Sequence, residues 1–448
     1  MDSEIFKAYD IRGKVGTQLN GAIVERIARA FTEWLPTKGP VAVGHDMRPD
    51  SVNLAESFIK GLIEQGRDVY DIGLVTSDMI YYAVGEWELA GGAVITASHN
   101  PGQDNGIKLY RDQVIAVGLD SGLAEIRDAA IADEFIMSDK SGTVSKREII
   151  DEWIEHCLKF APNLKPFHIA IDNGNGAAGA VLPHILPKLP ITAETMYMEP
   201  DGTFPNHEAN PSKLENLQDL ITKIKSDKLD FGVAFDGDGD RAVLVDDLGR
   251  PVSGSDILTI GAKYFLEQQP GGVIVHEVRT SRSTQELVKK WGGTPIRTKA
   301  GRTNIAPAMR EQGALFGGET SGHLFFRDNY YADSGLLASL VIMQAISDDG
   351  RKLSEIVDEY HLYPMIPETN YVVDNNDEKE KILEHLKQEF SDGQIDELDG
   401  VTVNYPYGWF NVRPSNTEPV LRLNAEATDQ EHLDELVNRV KSIITNQS

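Results

Sequence analysis

Three stretches of the chain repeat one pattern of apolar and polar positions. Each starts with a short apolar run, continues through a loop rich in glycine or charge, and then carries a helical pattern; the runs start at residues 41, 167 and 272. After the first run, the pattern predicts a helix to about residue 65 and a strand at 68–73. Such strand–helix–strand units predict parallel or mixed sheets covered by helices.

Each unit has a companion segment in which apolar flanks enclose a polar, glycine-rich centre. The segments read VITASHNPGQDNGIKLY, FGVAFDGDGDRAVLVDD and ALFGGETSGHLFFRD. Turn residues between two apolar runs predict a loop that joins two strands. The repetition therefore predicts three similar α/β domains, each of which presents one loop to a common cleft.

The pattern changes after about residue 367. Alternating strand patterns and two helical patterns, near 377–390 and 429–445, predict a smaller α+β domain that closes over the rest. The predicted strands lie at 369–374, 401–405, 409–415 and 419–427. The predicted domains are residues 1–140, 141–254, 255–367 and 368–448.

Composition narrows the classes of partner. The 448 residues include 43 basic and 70 acidic side chains, a net charge of −27, which argues against nucleic acid or an anionic membrane as a partner. The single cysteine favours a reducing compartment, and no signal-peptide pattern is visible. The most apolar stretch, at 335–346, is shorter than a membrane span and predicts a buried helix. We therefore expect a cytoplasmic protein.

The motif DGDGDR, at 236–241, alternates three carboxylates with two glycines. The glycines permit a tight turn in which the carboxylates converge, and a hard cation such as Mg²⁺ or Ca²⁺ removes their mutual repulsion. An EF-hand calcium loop is the alternative, but Arg241 and Asp247 stand where that loop has glycine and usually glutamate. The motif therefore predicts a divalent metal site that leaves room for a phosphate oxygen.

Ser98 lies where an apolar strand ends, in the motif TASHNP at 96–101. Alone, a serine there is typical of a turn. A Ser-His-Asp hydrolase is another interpretation, but no G-x-S-x-G motif surrounds this serine. Taken together with DGDGDR, Ser98 would carry a phosphate that supplies an anionic oxygen to the metal.

Two further loops carry candidate binding groups. In GGETSGH, at 317–323, Glu319 and Ser321 are candidate partners for sugar hydroxyls, and RPSNTEP, at 413–419, has the residue types of an anion nest. Each motif alone is also typical of an ordinary polar turn. Basic residues near the motifs would offset the negative net charge around an anionic substrate; they are Arg12, Lys108, Arg241, Arg279, Arg282, Lys299, Arg302, Arg413 and Arg422.

The segment GNGAAG, at 174–179, fits the G-x-G-x-x-G pattern of dinucleotide sites. It opens one of three similar units, and the other two lack it. We therefore interpret the glycines as close helix–strand packing, with an NAD-dependent oxidoreductase as an alternative.

Together the motifs resemble those of a known family. FKAYDIRG (6–13), TASHNP with DNGIK, DGDGDR, GGETSGH and RPSNTEP occur in this order between about residues 5 and 427. This order resembles the α-D-phosphohexomutases and, within them, the bacterial phosphomannomutase/phosphoglucomutase group. The resemblance implies an α/β fold of three similar mixed α/β sandwich domains and a smaller C-terminal α+β domain around a central cleft.

The resemblance also implies residue roles. Ser98 would be the phosphoserine and would hold one Mg²⁺ together with Asp236, Asp238 and Asp240. The catalytic group would be completed by Arg12, Lys108 and Arg241. The residues expected to bind substrate are Tyr9, His99, Arg279, Arg302, Glu319, Ser321, His323, Arg413, Ser415, Asn416, Thr417 and Arg422.

The implied activity is an intramolecular phosphotransfer that interconverts hexose 6-phosphate and hexose 1-phosphate, with mannose or glucose as the sugar. Phosphorylated Ser98 would form hexose 1,6-bisphosphate, which turns in the cleft and returns its other phosphate. We expect a monomer or weak homodimer. A phosphoglucosamine mutase, whose last loop typically has glycine where Asn416 stands, is the alternative; a non-catalytic sugar-phosphate or metal-binding protein is a more distant one.

Three places depart from the family's pattern. Arg302 stands where many members have histidine, Arg279 stands where some have lysine, and residues 76–78 read TSD in place of a T-P turn. The guanidinium of Arg302 keeps a phosphate contact but excludes proton transfer, because it stays charged. These departures concern the choice of substrate more than the chemistry.

Overall fold

The computed structural model describes residues 1–373, 375–415 and 419–445. The predicted substrate-binding residues Asn416 and Thr417 lie outside these ranges. None of the described helices is both long and apolar enough to cross a membrane.

The first domain is built on a mixed sheet. Its strands are β1 (Ile11–Lys14), β2 (Val41–His45), β3 (Val69–Leu74), β4 (Gly91–Ile95), β5 (Asp104–Arg111), β6 (Ile115–Ala116) and β7 (Val144–Lys146). Its helices are α1 (Gly21–Trp34), α2 (Ser51–Glu64), α3 (Ser77–Glu86) and α4 (Leu123–Ala132). The sheet order is β1–β5–β4–β2–β3–β7, with β6 beside β5. Strand β7 therefore extends this sheet past the predicted boundary at residue 140.

The second and third domains are also built of a mixed sheet and helices. The second contains α5 (Ile150–Leu158), β8 (Phe167–Asp172), α6 (Leu182–Ile185), β9 (Ile191–Met196), α7 (Gln218–Asp227), β10 (Phe231–Phe235) and β11 (Ala242–Asp246). The third contains α8 (Gly254–Gln268), β12 (Val273–Glu277), α9 (Arg282–Lys290), β13 (Thr294–Thr298), α10 (Arg302–Gln312), β14 (Phe316–Gly318), β15 (Leu324–Phe326), β16 (Ala332–Asp333), α11 (Gly335–Asp349) and α12 (Leu353–Tyr360).

The repeat predicted from the sequence is visible in the strand orders. The orders β5–β4–β2–β3, β11–β10–β8–β9 and β15–β14–β12–β13 correspond position by position. In each, three strands run parallel and the first runs antiparallel to its neighbour. The companion segments are the loops that join those antiparallel pairs, as predicted. All three loops therefore leave equivalent strand ends.

The fourth domain has a different sheet. Its elements are β17 (Thr369–Val372), α13 (Asn376–Glu389), β18 (Gln394–Asp396), β19 (Val401–Tyr405), β20 (Gly408–Pro414), β21 (Val420–Ala427) and α14 (Gln430–Thr445). The strands run antiparallel in the order β17–β21–β20–β19–β18. The predicted strands and both predicted helices are present, which confirms the smaller α+β domain.

The first three domains share one cluster of buried apolar residues, and the fourth domain has another. One continuous cluster contains Tyr81 of the first domain, Phe231 of the second and Phe316 of the third, and the helix predicted at 335–346 lies inside it as α11. The fourth domain has a separate core around Phe410. The first three domains are thus held together by shared apolar packing, while the fourth is packed as a unit of its own.

The segment after β8 differs from the other repeats. Instead of a long helix, it forms a short 3₁₀ turn at Ala177–Ala180 and the brief helix α6. Pro187 prevents α6 from continuing, because proline lacks the amide donor that a longer helix needs. A Cβ on Gly179 would lie only 1.9 Å from the carbonyl oxygen of Met198. Close backbone packing therefore accounts for this glycine of GNGAAG.

Replacing Gly179 with alanine tests that packing. Because the added methyl group overlaps the Met198 carbonyl, we expect Gly179→Ala to lower the free energy of unfolding by about 1–3 kcal/mol. Urea unfolding followed by circular dichroism measures the loss. The exposed His184→Ala in the same segment serves as the control. Equal midpoints for the two variants would contradict the close approach.

Candidate active site

The loops after β4 and β10 meet at Ser98. The Ser98 side chain is 3% exposed, and its Oγ donates a hydrogen bond to Oδ2 of Asp236 at 2.9 Å. The backbone of Ser98 has φ +51°, the left-handed region that non-glycine residues seldom adopt. A Cβ at Gly237 would lie 2.3 Å from the Ser98 carbonyl oxygen. Glycine at 237 is therefore what allows the serine loop to approach the acidic loop.

The carboxylates of Asp236, Asp238 and Asp240 converge as the sequence predicts. Each residue is fully buried, and one ligand oxygen from each lies within 4.8 Å of the others. Gly239, with φ +73°, makes the turn between the last two aspartates. Lys108 on β5 donates from Nζ to Asp238 and to Asp240, both at 2.5 Å.

The carboxylate cluster retains acceptors for a cation. Among the described residues, Oδ1 of Asp238 and Oδ1 of Asp240 are buried and accept no hydrogen bond. Buried carboxylate oxygens without a donor are costly, and divalent cations favour such oxygen ligands. The residues present therefore fit a hard metal ion.

Basic side chains surround this cluster and neutralise part of its charge. Nε of Arg241 lies 2.9 Å from Oδ2 of Asp236. Arg12 on β1 is paired with Asp10 at 2.8 Å and donates to Oδ1 of Asn100 at 2.6 Å. Cations are thus concentrated beside the cluster although the chain as a whole has a net charge of −27.

His99 is held as a neutral side chain. Burial lowers its pKa well below the ordinary value, and the charges of Arg241 and Arg12 act in the same direction. Its Nδ1 contacts the guanidinium of Arg241 and lies 3.2 Å from Oγ of Ser98. Since a guanidinium only donates, Nδ1 is the acceptor of that hydrogen bond.

Arg302 and His323 reach the same cluster from the third domain. Nη2 of Arg302 lies 2.7 Å from Oδ2 of Asp240, and its Nη1 donates to the hydroxyls of Tyr81 and Tyr110 at 2.7 and 2.5 Å. Nδ1 of His323 lies 2.6 Å from Oδ2 of Asp333 and 3.8 Å from Oδ1 of Asp240. The guanidinium of Arg302 is thus paired with the acidic cluster through Asp240.

The loop between β14 and β15 carries Glu319 and Ser321. Oε1 of Glu319 accepts from the amide of Gly301 at 2.7 Å, and Oε2 accepts from the hydroxyl of Ser321 at 2.6 Å. The hydroxyl of Tyr9 donates to the carbonyl of Ala300 at 3.4 Å. The 300–302 segment thus connects the N-terminal part of the chain with the predicted sugar loop.

The predicted phosphate residues Arg279, Arg413 and Arg422 lie together at the junction of the third and fourth domains. All three pair with one carboxylate, that of Glu368, and the hydroxyl of Ser415 accepts from Arg422 at 3.2 Å. Arg279, Arg422, Glu368 and Ser321 line a cavity of about 610 Å³. This cavity is the distal end of the site, and Ser98 does not line it.

Sequence reasoning missed Arg48, the residue that fixes the serine loop. Arg48 is 2% exposed, and its guanidinium donates to the carbonyls of Ser98, Asn100, Pro101 and Asp104 at 2.6–2.8 Å. A single arginine after the first apolar run carried no signal in the sequence, because these acceptors are backbone groups.

The TSD segment, noted above as a departure, also contacts the acidic loop. The hydroxyl of Ser77 donates to Oδ2 of Asp238 at 2.5 Å. Asp78 is fully buried and accepts from Ser334 at 2.5 Å, and burial raises the pKa of Asp78 to about 7. The segment therefore ties the acidic loop to α3 and to the third domain.

Family models for the four domains of phosphoglucomutase/phosphomannomutase match the chain in order. Alpha/beta/alpha domain I matches residues 3–136, domain II 151–249, domain III 253–363 and the C-terminal domain 368–443. The chain belongs to the phosphoglucomutase/phosphomannomutase family. Membership implies a metal-dependent mutase, in agreement with the buried acidic cluster.

Named relatives extend over nearly the whole chain. "Phosphohexose mutases" of Xanthomonas campestris pv. campestris is 38% identical over 425 residues, 94% of each chain. "Phosphomannomutase/phosphoglucomutase" of Pseudomonas aeruginosa is 36% identical and covers 100% of this chain and 96% of its own. The crystal structure of a phosphoglucomutase/phosphomannomutase family protein from Burkholderia thailandensis superposes with a TM-score of 0.91 at 30% identity, covering 99% of this chain and 98% of that one.

Replacing Arg48 with methionine tests its hold on the serine loop. Because the loop carbonyls and Asp46 lose their buried donor, we expect Arg48→Met to cost about 3–5 kcal/mol of stability. It should also speed amide hydrogen exchange in residues 97–104. Hydrogen exchange with mass spectrometry measures both effects, with the surface variant Arg127→Met as the control. Unchanged exchange in this loop would contradict the assignment.

Proposed function

We propose that the chain is a phosphohexomutase that interconverts hexose 6-phosphate and hexose 1-phosphate of mannose, of glucose or of both. The observation that carries the proposal is the Ser98 hydroxyl, buried 2.9 Å from Asp236 at the edge of the acidic cluster. A serine in ordinary turn structure has no need of such surroundings. A phosphorylated serine does, because its negative charge must be met by positive charge, which Arg241 and a cation held by the carboxylates would supply.

In this proposal Ser98, Asp236, Asp238 and Asp240 hold one Mg²⁺. The buried acceptors on Asp238 and Asp240 supply suitable oxygen ligands. The bound ion would neutralise charge on the oxygens of the phosphoryl group during transfer. Lys108 would keep the carboxylates balanced when the metal is absent, since its Nζ already bridges two of them.

The chain's own side chains then perform the transfer. The bond between Oγ of Ser98 and phosphorus breaks, a bond from phosphorus to the oxygen of the free sugar hydroxyl forms, and the proton that this hydroxyl loses ends on Oγ, which leaves Ser98 with a free hydroxyl. Arg12 and Arg241 would stabilise the charge of the reacting group, while the neutral His99, which contacts the guanidinium of Arg241, would orient it. The product is hexose 1,6-bisphosphate, which also acts as the activator that phosphorylates Ser98.

The bisphosphate must next reverse its orientation so that its second phosphate faces Ser98. Glu319 and Ser321 would bind the sugar hydroxyls in both orientations. Arg279, Arg413 and Arg422, with Ser415, Asn416 and Thr417, would hold whichever phosphate is distal. Tyr9, Arg302 and His323 would complete the substrate site between the two ends. Such a site is generic for phosphate, as the reaction requires.

We further propose that the enzyme acts in the cytoplasm as a monomer or weak homodimer. Its strong negative charge supports a small-molecule substrate in place of nucleic acid or a membrane surface.

Replacing Ser98 with alanine tests the phosphoserine directly. Because the transferable phosphate loses its attachment point, we expect kcat for conversion of mannose 1-phosphate or glucose 1-phosphate to fall by at least about 10³-fold. A coupled assay with a trace of hexose 1,6-bisphosphate measures it. The exposed Ser226→Ala should keep full activity. Comparable activity in Ser98→Ala would exclude the mechanism.

Replacing Asp238 with asparagine tests the metal site without relying on activity. Removing one carboxylate should weaken Mg²⁺ binding at least about tenfold. Calorimetric titration of the EDTA-treated protein measures the affinity, and the rise of Tm with Mg²⁺ checks it. Asp227→Asn, at an exposed helix end, is the matched control. An unchanged Mg²⁺ affinity would remove Asp238 from the ligand set.

A further inference from the structure

The carboxylate of Glu368 occupies the centre of the distal arginine group. Its Oε2 lies 2.9 Å from Nη1 of Arg279 and 3.5 Å from Nη2 of Arg413, and its Oε1 lies 3.4 Å from Nη1 of Arg422. Asn424 adds a hydrogen bond at 3.2 Å. Glu368 stands immediately before β17, where the fourth domain begins.

The backbone itself brings the cations together. Arg413 on β20 and Arg422 on β21 are direct partners in the antiparallel register, and like charges so placed repel each other. The pKa of Arg413 is lowered by burial and by the nearby charge of Arg279. An anion beside these two arginines therefore reduces their repulsion and stabilises the pairing of β20 with β21.

In the described structure Glu368 is that anion. A carboxylate offers a guanidinium the same kind of planar acceptor pair that a phosphate offers. Burial opposes ionisation of Glu368, but the charge and hydrogen bond of Arg279, the charge of Arg413 and the hydrogen bond from Asn424 together outweigh it, and the pKa of Glu368 falls to about 2. The side chain is thus fully charged near neutral pH.

The fit to Glu368 is incomplete. Among the described residues, Nε of Arg413 is buried and has no hydrogen-bond acceptor. A phosphate monoester has three free oxygens where a carboxylate has two, so it can satisfy a donor that Glu368 leaves unmet. The guanidinium group therefore matches a phosphate better than the carboxylate now bound to it.

Charge balance also indicates that the arginines bind either a phosphate or Glu368, but not both together. The cations are Arg279, Arg413 and Arg422, and Arg279 is also paired with the buried Glu277 at 2.9 Å. A dianionic phosphate together with Glu277 would neutralise these three cations. With Glu368 still in place, the site would carry excess negative charge in a partly buried setting. Phosphate and Glu368 are therefore expected to exclude each other.

Open space lies next to the side chain of Glu368. This residue lines the 610 Å³ cavity, and its side chain is 27% exposed. It stands at the start of a domain whose apolar core is separate from the core that the first three domains share.

We propose that Glu368 is a built-in competitor for the distal phosphate: it holds the arginines when no phosphate is bound and is displaced by the phosphate of the substrate. This inference rests on the proposed function. When the bisphosphate leaves the arginines to turn, Glu368 takes its place, so the three cations are not left uncompensated. The residue thereby weakens ground-state binding and favours release and reorientation.

The test measures hexose phosphate binding in the Ser98→Ala background, which prevents turnover. Isothermal titration with glucose 6-phosphate and mannose 6-phosphate compares this parent with a second protein that also carries Glu368→Gln. Because the amide keeps the shape but removes the competing charge, we expect Kd to fall by about tenfold. The exposed Glu359→Gln is the charge-matched control and should leave Kd unchanged.

The outcomes distinguish the inference from the function on which it rests. Binding by the parent with an equal or higher Kd in Glu368→Gln would overturn the competitor role and leave the proposed function intact. No binding of either sugar phosphate by the parent would overturn both. If Glu368 only supported the structure of the site, Glu368→Gln would weaken binding. A lower Kd in Glu368→Gln therefore distinguishes the competitor role from a structural role.

A second variant guards against a folding defect in Glu368→Gln. Glu368→Asp keeps the charge but shortens its reach to the arginines, so it should bind glucose 6-phosphate with an affinity between those of the parent and Glu368→Gln. In the Ser98-containing enzyme, Glu368→Gln should lower KM and should not raise kcat, because release becomes slower. A higher KM with normal Tm would contradict the proposal.

Discussion

Three buried carboxylates, those of Asp236, Asp238 and Asp240, impose the constraint around which the molecule is organised. Carboxylates so close together cannot remain charged inside a protein without cations beside them. Lys108 approaches from β5 of the first domain and Arg302 from α10 of the third. The need to balance one acidic turn thus draws three domains to a common point.

The same constraint explains the backbone around Ser98. The serine loop must come close enough for its hydroxyl to reach Asp236, which requires glycine at 237 and a left-handed backbone at Ser98. Arg48 stabilises this conformation by binding the loop's carbonyls from beneath. The serine loop is therefore held by buried hydrogen bonds, whereas the distal arginines belong in part to a domain with its own core. The proposed reaction, in which the bisphosphate turns between two phosphate sites, would benefit from such a division.

Much of this arrangement follows from sequence patterns. The threefold repeat, the loops between antiparallel strands and the buried helix α11 were predicted, because strand alternation and turn residues are local signals. The motif residues around Ser98 and Asp236 are indeed brought together. The roles of these residues in binding and catalysis are proposals. Asn416 and Thr417, to which binding roles are also assigned, lie outside the described residues.

What the sequence did not reveal depends on contacts between distant segments. Arg48 acts on backbone carbonyls, which leave no trace in side-chain patterns. Glu368 looks like one of many surface acids until the fold places it between Arg279 and Arg413. The first sheet continues to β7, past the predicted boundary at 140, since a short polar edge strand lacks an apolar signature.

The most direct test of the account follows the phosphate itself. The protein is incubated with hexose 1,6-bisphosphate labelled in both phosphates, and phosphopeptides are mapped by mass spectrometry before and after a chase with unlabelled hexose monophosphate. The account predicts one phosphate on Ser98 that the chase removes into sugar bisphosphate. Label on another residue, or turnover with no phosphorylated residue at all, would contradict it.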